Sequence, residues 1–126
     1  MTDTQGHLLF VRVHPANESD TVRGGSVVED ALWRYPSLKG VCGDAGYRGT
    51  FVWFVTEILK RCVEIVEKLP GKWRVLPKRW VVERTFAWLN GARRLSKDYE
   101  VTQPSAESHI YIAHARLLLR RVALNL

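Results

Sequence analysis

The segment KRWVVERTFAWLNGARRLSKDY, residues 78–99, carries the longest amphipathic helix pattern in the chain. Apolar or small side chains recur along it at steps of three or four residues, which is the spacing of one helix face. They are Val81, Thr85, Trp88, Ala92 and Leu95. Glu83 falls on a different stripe, which it shares with Arg79 and Asn90. We therefore predict a helix over residues 78–99 that projects a carboxylate among many basic side chains.

Positive charge is concentrated around this segment. The chain has 126 residues and a net charge of +6, and residues 60–97 hold eleven Lys or Arg against three acids. Trp73, Trp80, Phe86 and Trp88 lie between these charges. Basic residues interspersed with aromatic ones are typical of a surface that binds a phosphate backbone, so we favour nucleic acid as the partner. A solvated face on a basic protein is the alternative.

Length and composition indicate one globular domain. Hydrophobic residues make up 46% of the chain, and no apolar run reaches the roughly 18 residues that a membrane span requires. The N-terminus has no basic region of the kind that opens a secretion signal. We expect a cytoplasmic protein without a membrane partner. Cys42 and Cys62 match no metal-binding spacing, and we expect them to be small buried residues rather than a disulfide.

The other hydrophobic patterns alternate between strand and helix spacing. Strands are predicted at residues 7–15, 40–44 and 61–67, helices at 26–38, at 49–60 and from 103 onward, and a loop at 69–78. This order predicts an α/β fold, in which helices pack on a sheet. The histidines at 7, 14, 109 and 114 form no pair with metal-binding spacing, and we interpret all four as structural.

Two carboxylates in this arrangement can carry chemistry together. Asp44 ends a predicted strand between two glycines, at the sheet edge where α/β proteins bind ligands. Glu83 comes from a helix that can pack against the same edge. Two converging carboxylates beside a basic surface suit Mg²⁺ or Mn²⁺ bound with a phosphodiester. Taken singly, Asp44 is better explained as a turn-forming residue, and Glu83 is better explained as an ion-pair partner of nearby arginines. Only together do the two carboxylates indicate a site.

The sequences GDAGYRG (43–49) and RWVVERTFAWLNGARRLSKDYE (79–100) resemble DDE transposases of bacterial insertion sequences. The subgroup is the one with a Tyr-x2-Arg-x3-Glu-x6-Lys signature. The resemblance implies a ribonuclease H-like mixed sheet with flanking helices, in which three carboxylates hold two Mg²⁺ (or Mn²⁺) ions for DNA strand cleavage and transfer. Asp44 matches the second acid, Glu83 the third and Arg79 the signature's Arg. Leu76 and Asn90 stand where the signature has Tyr and Lys.

The same resemblance places the first catalytic Asp upstream of an Asp-Thr-x-Gly turn, which here is Asp3-Thr4-Gln5-Gly6. We therefore expect residues 1–126 to be a partial, N-terminally truncated catalytic domain that lacks strand 1 and most of strand 2 and is inactive alone. The expected partners are transposon-end and target DNA, and another transposase chain or an upstream reading-frame product. The residues expected to bind DNA are Lys78, Arg79, Arg84, Asn90, Arg93, Arg94 and Lys97. The alternatives are a non-catalytic DNA-binding or inhibitory transposase remnant, and an inert, poorly folded one.

Overall fold

The computed structural model describes residues 1–67, 71 and 77–125. These residues form two compact units. The first unit contains Met1 and Pro15–Trp80, and the second contains Thr2–His14 and Val81–Leu126. Each unit is described by itself below.

The first unit contains a two-stranded parallel sheet, β1 (Gly40–Asp44) and β2 (Cys62–Val66). Helix α1 (Asp20–Arg34) precedes β1. A 3₁₀ turn (Ala45–Tyr47) and helix α2 (Thr50–Trp53) follow it, and α2 continues into a π-helical turn (Phe54–Ile58) that leads to β2. A helical crossover is how parallel neighbours are connected, because a short hairpin can join only antiparallel strands.

The core of the first unit lies on one face of this sheet. Val28, Phe51 and Val55 are buried there, and Val41 and Val63, which are register partners, pack against them. The close approach of α1 to the helical segment that contains Phe54 depends on glycine. A Cβ added to Gly25 would lie 2.9 Å from the Phe54 ring, which is closer than packed side chains tolerate. The strand residues between the valines alternate toward the exposed face, as the pleat of a sheet requires, and Cys42, Asp44, Cys62 and Glu64 are exposed there.

The second unit is built on two helices. Helix α3 (Pro77–Asn90) belongs to it from Val81 onward, a 3₁₀ turn (Arg93–Leu95) follows, and helix α4 (Gln103–Leu124) completes it. Thr85 and Leu89, one turn apart, are the buried residues of α3. Residues 2–14 lie along α4 through hydrogen bonds to its side chains. Leu8, Val11 and Val13 donate their backbone N–H groups to His114, Tyr111 and Glu107 respectively.

The element order confirms an α/β fold, and the strands at 40–44 and 61–67 are confirmed almost to the residue. The predicted strand at 7–15 is wrong. Among residues 1–67, 71 and 77–125, its only ladder contact is the isolated bridge between Thr2 and Leu8. The N–H groups that a sheet would have bonded are instead accepted by side chains of α4.

The limits of two helices also differ from the predicted ones. The helix predicted at 26–38 begins six residues earlier, at Asp20, directly after the capping-type residues 17–19. The helix predicted at 78–99 ends at Asn90. Gly91 and Ala92 donate to carbonyls three residues back, and Ala92 has an extended backbone (φ −84°, ψ 115°). A glycine inside a helix costs about 1 kcal/mol relative to alanine, which favours a helix end here.

Two further predictions concern the cysteines and the loop. The prediction of buried cysteines is wrong, because Cys42 and Cys62 are both free and exposed. Most of the loop predicted at 69–78 lies outside the described residues. Within the described part of the chain, no helix is long and apolar enough to cross a membrane.

Candidate functional site

Asp44 is the last residue of β1, and its side chain is exposed. Its Oδ1 accepts a hydrogen bond from the Gly46 N–H at 2.9 Å and so caps the 3₁₀ turn that follows. Oδ2 has no hydrogen-bond partner among the described residues. The carboxylate therefore shapes the turn with one oxygen and presents the other at the carboxyl end of the strand, where ligands of α/β sheets bind.

Lys78 and Arg48 lie near β2 in the first unit, and each is paired with a carboxylate. Lys78 donates to Glu64, a residue of β2, and Arg48 donates to Glu67, just after that strand. The hydrogen bond that Lys78 donates to Glu64 raises the pKa of the Lys78 ammonium. Lys78 is one of the predicted DNA-binding residues, and it now has to exchange a carboxylate for a phosphate in order to act as one. Such exposed pairs contribute little to stability.

Glu83 lies on the exposed side of α3 in the second unit. The other side of α3 carries the buried residues Thr85 and Leu89. The Thr85 hydroxyl donates to the Gly6 carbonyl oxygen at 2.7 Å. The exposed side also carries Phe86, which is 62% exposed, and Asn90. The predicted stripe that contains Glu83 and Asn90 therefore faces solvent. The Glu83 carboxylate projects from a rigid element, the helix α3.

Asp44 and Glu83 belong to different compact units. Each has the local geometry of an accessible carboxylate at a defined place, one at a strand end and one on a helix. Their convergence on a common cation remains a prediction. Within the described residues, no group of three or more His, Cys, Asp or Glu side chains is placed to hold a metal ion.

The predicted DNA-binding residues of the second unit fall into two classes. The guanidinium of Arg84 donates to the Gln5 carbonyl oxygen at 2.6 Å, and that of Arg94 donates to Glu100 at 2.6 Å. The hydrogen bond that Arg94 donates to Glu100 raises the pKa of Arg94. The side chains of Arg93, Lys97 and Asn90 are exposed, with no ion pair or hydrogen bond to the described residues. Arg79, which the signature resemblance singled out, is half-buried on α3 in the first unit.

Sequence reasoning missed an aromatic stack in the second unit. The indole of Trp88 lies between two guanidinium groups, with Arg84 at 4.6 Å and Arg121 at 4.0 Å from its ring. Cation–π contacts of this kind hold α3 against the end of α4. The only signal in the sequence is a Trp one turn after an Arg, which does not reveal the partner on the distant helix.

Sequence reasoning also missed the polar cluster around residues 3–8. Asp3 Oδ2 lies 3.0 Å from His7 Nδ1, and the ring of His7 meets the ring of His114 edge-on at 6.4 Å. The Asp3 carboxylate also accepts the backbone N–H groups of Gln5 and His7, and its pKa is lowered by these hydrogen bonds against the effect of burial. The cluster supports the interpretation of His7 and His114 as structural residues.

A comparison with protein families bears on these residues. Residues 66–120 match a protein family described as Transposase DDE domain. The matched segment includes Glu83 and all seven predicted DNA-binding residues, whereas Asp44 lies outside it. No significant match was found to a curated protein or to a solved structure. Over residues 66–120 the chain is thus similar to the DDE domain of transposases.

Proposed function

We propose that the chain takes part in DNA transposition, in which Asp44 and Glu83 serve as metal-binding carboxylates for cleavage and strand transfer of transposon-end DNA. The observation that carries the proposal is the transposase match over residues 66–120, which contains Glu83 on the exposed side of α3. Asp44 adds an accessible oxygen at the end of β1.

The donor set fits a hard divalent cation. Both candidate ligands are exposed carboxylates, and oxygen ligands of this type are preferred by Mg²⁺ and Mn²⁺. When bound, a pair of such ions supplies activation of a water or 3′-hydroxyl and stabilisation of the leaving oxygen. The role of the chain itself is to present Asp44 and Glu83 from a strand end and a helix, and to bind the DNA backbone beside them.

The DNA-binding part of the proposal depends on the basic residues of the second unit. Arg93 and Lys97 follow α3 directly and are exposed without an ionic partner among the described residues. Phosphate contacts from such residues release counterions, so the affinity falls steeply as salt increases.

We expect the 126-residue chain to cleave DNA poorly by itself. The resemblance assigns two of the three metal-binding acids to residues of this sequence, Asp44 and Glu83. With one carboxylate fewer, the site has less negative charge and fewer oxygen ligands for two cations.

Mn²⁺ binding and plasmid nicking test these assignments. The variants Asp44→Asn and Glu83→Gln keep the shape of each side chain and remove its charge. Glu57→Gln is a matched control, because Glu57 is an exposed acid that only pairs with Lys60 across a helical turn. We expect each site variant to weaken Mn²⁺ binding at least about tenfold and the control to leave it unchanged. Equal Mn²⁺ affinity in all four proteins would refute the ligand assignment. Strong metal-dependent nicking by the unmodified chain would refute its inactivity alone.

The second candidate function is DNA binding without catalysis, in which the chain occupies DNA ends or pairs with an intact transposase. Arg93 and Lys97, which have no ion-pair partner in the part of the chain that the structure describes, favour it, because they can hold phosphate without a metal. Salt-sensitive DNA binding in EDTA, together with no effect of Asp44→Asn or Glu83→Gln on Mn²⁺ binding, would select this function over the first.

A further inference from the structure

Helix α4 has two faces of different character. One face contacts residues 2–14 and α3 through His114, Tyr111, Glu107 and Arg121. The opposite face lines an open groove and is called the outer face of α4. It consists of Ile112, Ala115, Arg116, Leu119, Arg120 and Ala123.

The outer face is apolar along its centre and exposed. Ile112 is 63% exposed and Leu119 is 69% exposed. The apolar residues at 112, 115, 119 and 123 recur at steps of three and four, which is the seam along which one helix packs on another. The seam is about 16 Å long, since a helix rises about 1.5 Å per residue. This length suits a partner helix of about three turns.

The charges on the outer face define what the partner carries. Arg116 and Arg120 are one turn apart on the same flank, exposed, and without an acidic partner among the described residues. The only acid in α4 is Glu107, and it accepts the Val13 N–H on the other face. A complementary partner therefore brings carboxylates to this flank at the same one-turn spacing.

We propose that the outer face of α4 is a docking surface for an acidic amphipathic helix of a partner protein. Aliphatic side chains of the partner pack against Leu119 and Ile112, and its carboxylates pair with Arg116 and Arg120. A second copy of this chain fits less well, because its own outer face brings the same two arginines and no acid. A nucleic acid duplex presents mainly phosphate and sugar on its outside, with no continuous apolar strip about 16 Å long to match the seam of Ile112 and Leu119. A membrane surface is disfavoured because the outer face offers only two large apolar side chains, Ile112 and Leu119, and no Trp or Phe for insertion.

Two designed helical peptides test the proposal against the full 126-residue chain. Both carry a leucine seam, and they differ only at two flanking positions one turn apart, which are Glu in one peptide and Lys in the other. We expect the Glu peptide to bind at least about tenfold more tightly than the Lys peptide by fluorescence anisotropy. In the double variant Arg116→Glu/Arg120→Glu, the preference should reverse. A reversal distinguishes a docked helix from general attraction of an acidic peptide to a basic protein.

Single substitutions locate the contact. Leu119→Ser should weaken binding of the Glu peptide at least about tenfold. Leu124→Ser is the matched control, because Leu124 is 85% exposed on the same helix but off the outer face. Circular dichroism and thermal unfolding of each variant establish that it is folded.

Four results would overturn the proposal. Equal affinity for the two peptides would contradict the role of Arg116 and Arg120. Equal loss of affinity for the Glu peptide in Leu119→Ser and Leu124→Ser would show that the apolar seam is not the contact. A dimer in solution that Leu119→Ser dissociates would assign the outer face to a second copy. Binding to anionic vesicles that Leu119→Ser abolishes, without selective peptide binding, would assign it to a membrane.

Discussion

His114 Nε2 accepts the backbone N–H of Leu8 at 3.1 Å, across 106 positions of sequence. His114 is 5% exposed, and its other ring nitrogen, Nδ1, is buried without a partner among the described residues. Because Nε2 accepts a hydrogen bond, the neutral ring carries its proton on Nδ1. This single contact fixes the protonation state of a buried histidine and ties residues 2–14 to α4.

Acidification should therefore loosen this connection. Burial lowers the pKa of His114 below its ordinary value of 6.5, with His7 and Arg121 acting in the same direction and Asp3 in the opposite one. The unfolded chain then binds a proton more readily than the folded chain. The stability contributed by neutral His114 is fully present above about pH 6.5 and is lost as the pH falls from there toward the folded-state pKa. Urea unfolding at a series of pH values measures this loss.

His114→Gln is the informative variant, because a glutamine oxygen can accept the Leu8 N–H and does not titrate. The unfolding free energy of the variant should no longer decrease just below pH 6.5. It should still decrease at lower pH, where protonation of Asp3 contributes. An unchanged pH profile would show that His114 is not the group responsible.

Thr85→Val should destabilise the chain by about 1–3 kcal/mol, because it leaves the Gly6 carbonyl oxygen without its buried donor. Thr85 is 3% exposed, so water cannot replace the hydroxyl easily. Thr56→Val is the matched control. Among the residues that the structure describes, the Thr56 hydroxyl donates only to carbonyls of its own helical segment, so its loss should cost less than about 1 kcal/mol. Equal losses of unfolding free energy in the two variants would contradict the role of Thr85 in holding residues 2–14.

These contacts show which features of the fold a sequence can reveal. β1 and β2 are predictable because short apolar runs bounded by glycine or proline are local patterns. The position of Asp44 follows from the same pattern. Residues 7–15 have strand composition, yet their N–H groups are accepted by side chains about 100 positions away, so no local pattern distinguishes them from a strand. For the same reason the sequence does not predict which arginines make contacts within the protein, since the partners of Arg84 and Arg121 come from distant segments.

The exposure of Cys42 and Cys62 makes a simple chemical prediction. Both thiols should react with a small disulfide reagent in the native chain, without denaturant. Partial burial raises the pKa of the Cys42 thiol, so its reaction should accelerate markedly as the pH rises toward 9. Quantitative thiol titration gives the number of reactive groups. A native chain that yields no reactive thiol until it is unfolded would restore the sequence-based expectation of buried cysteines.

The distinction between paired and unpaired basic residues predicts different effects on DNA binding. Arg93→Ala and Lys97→Ala should each weaken binding to duplex DNA and reduce the slope of log affinity against log salt by about 1, since each removes one phosphate contact. Arg84→Ala should instead lower the unfolding free energy, because Arg84 holds the Gln5 carbonyl oxygen and stacks on Trp88. Lys39→Ala removes an exposed charge outside the predicted set and should change neither quantity. Salt-dependent DNA titrations and urea unfolding of the four variants separate the two roles. A salt slope that falls equally in the Lys39 and Arg93 variants would mean that binding depends on net charge alone, and that no basic residue after α3 is a specific contact.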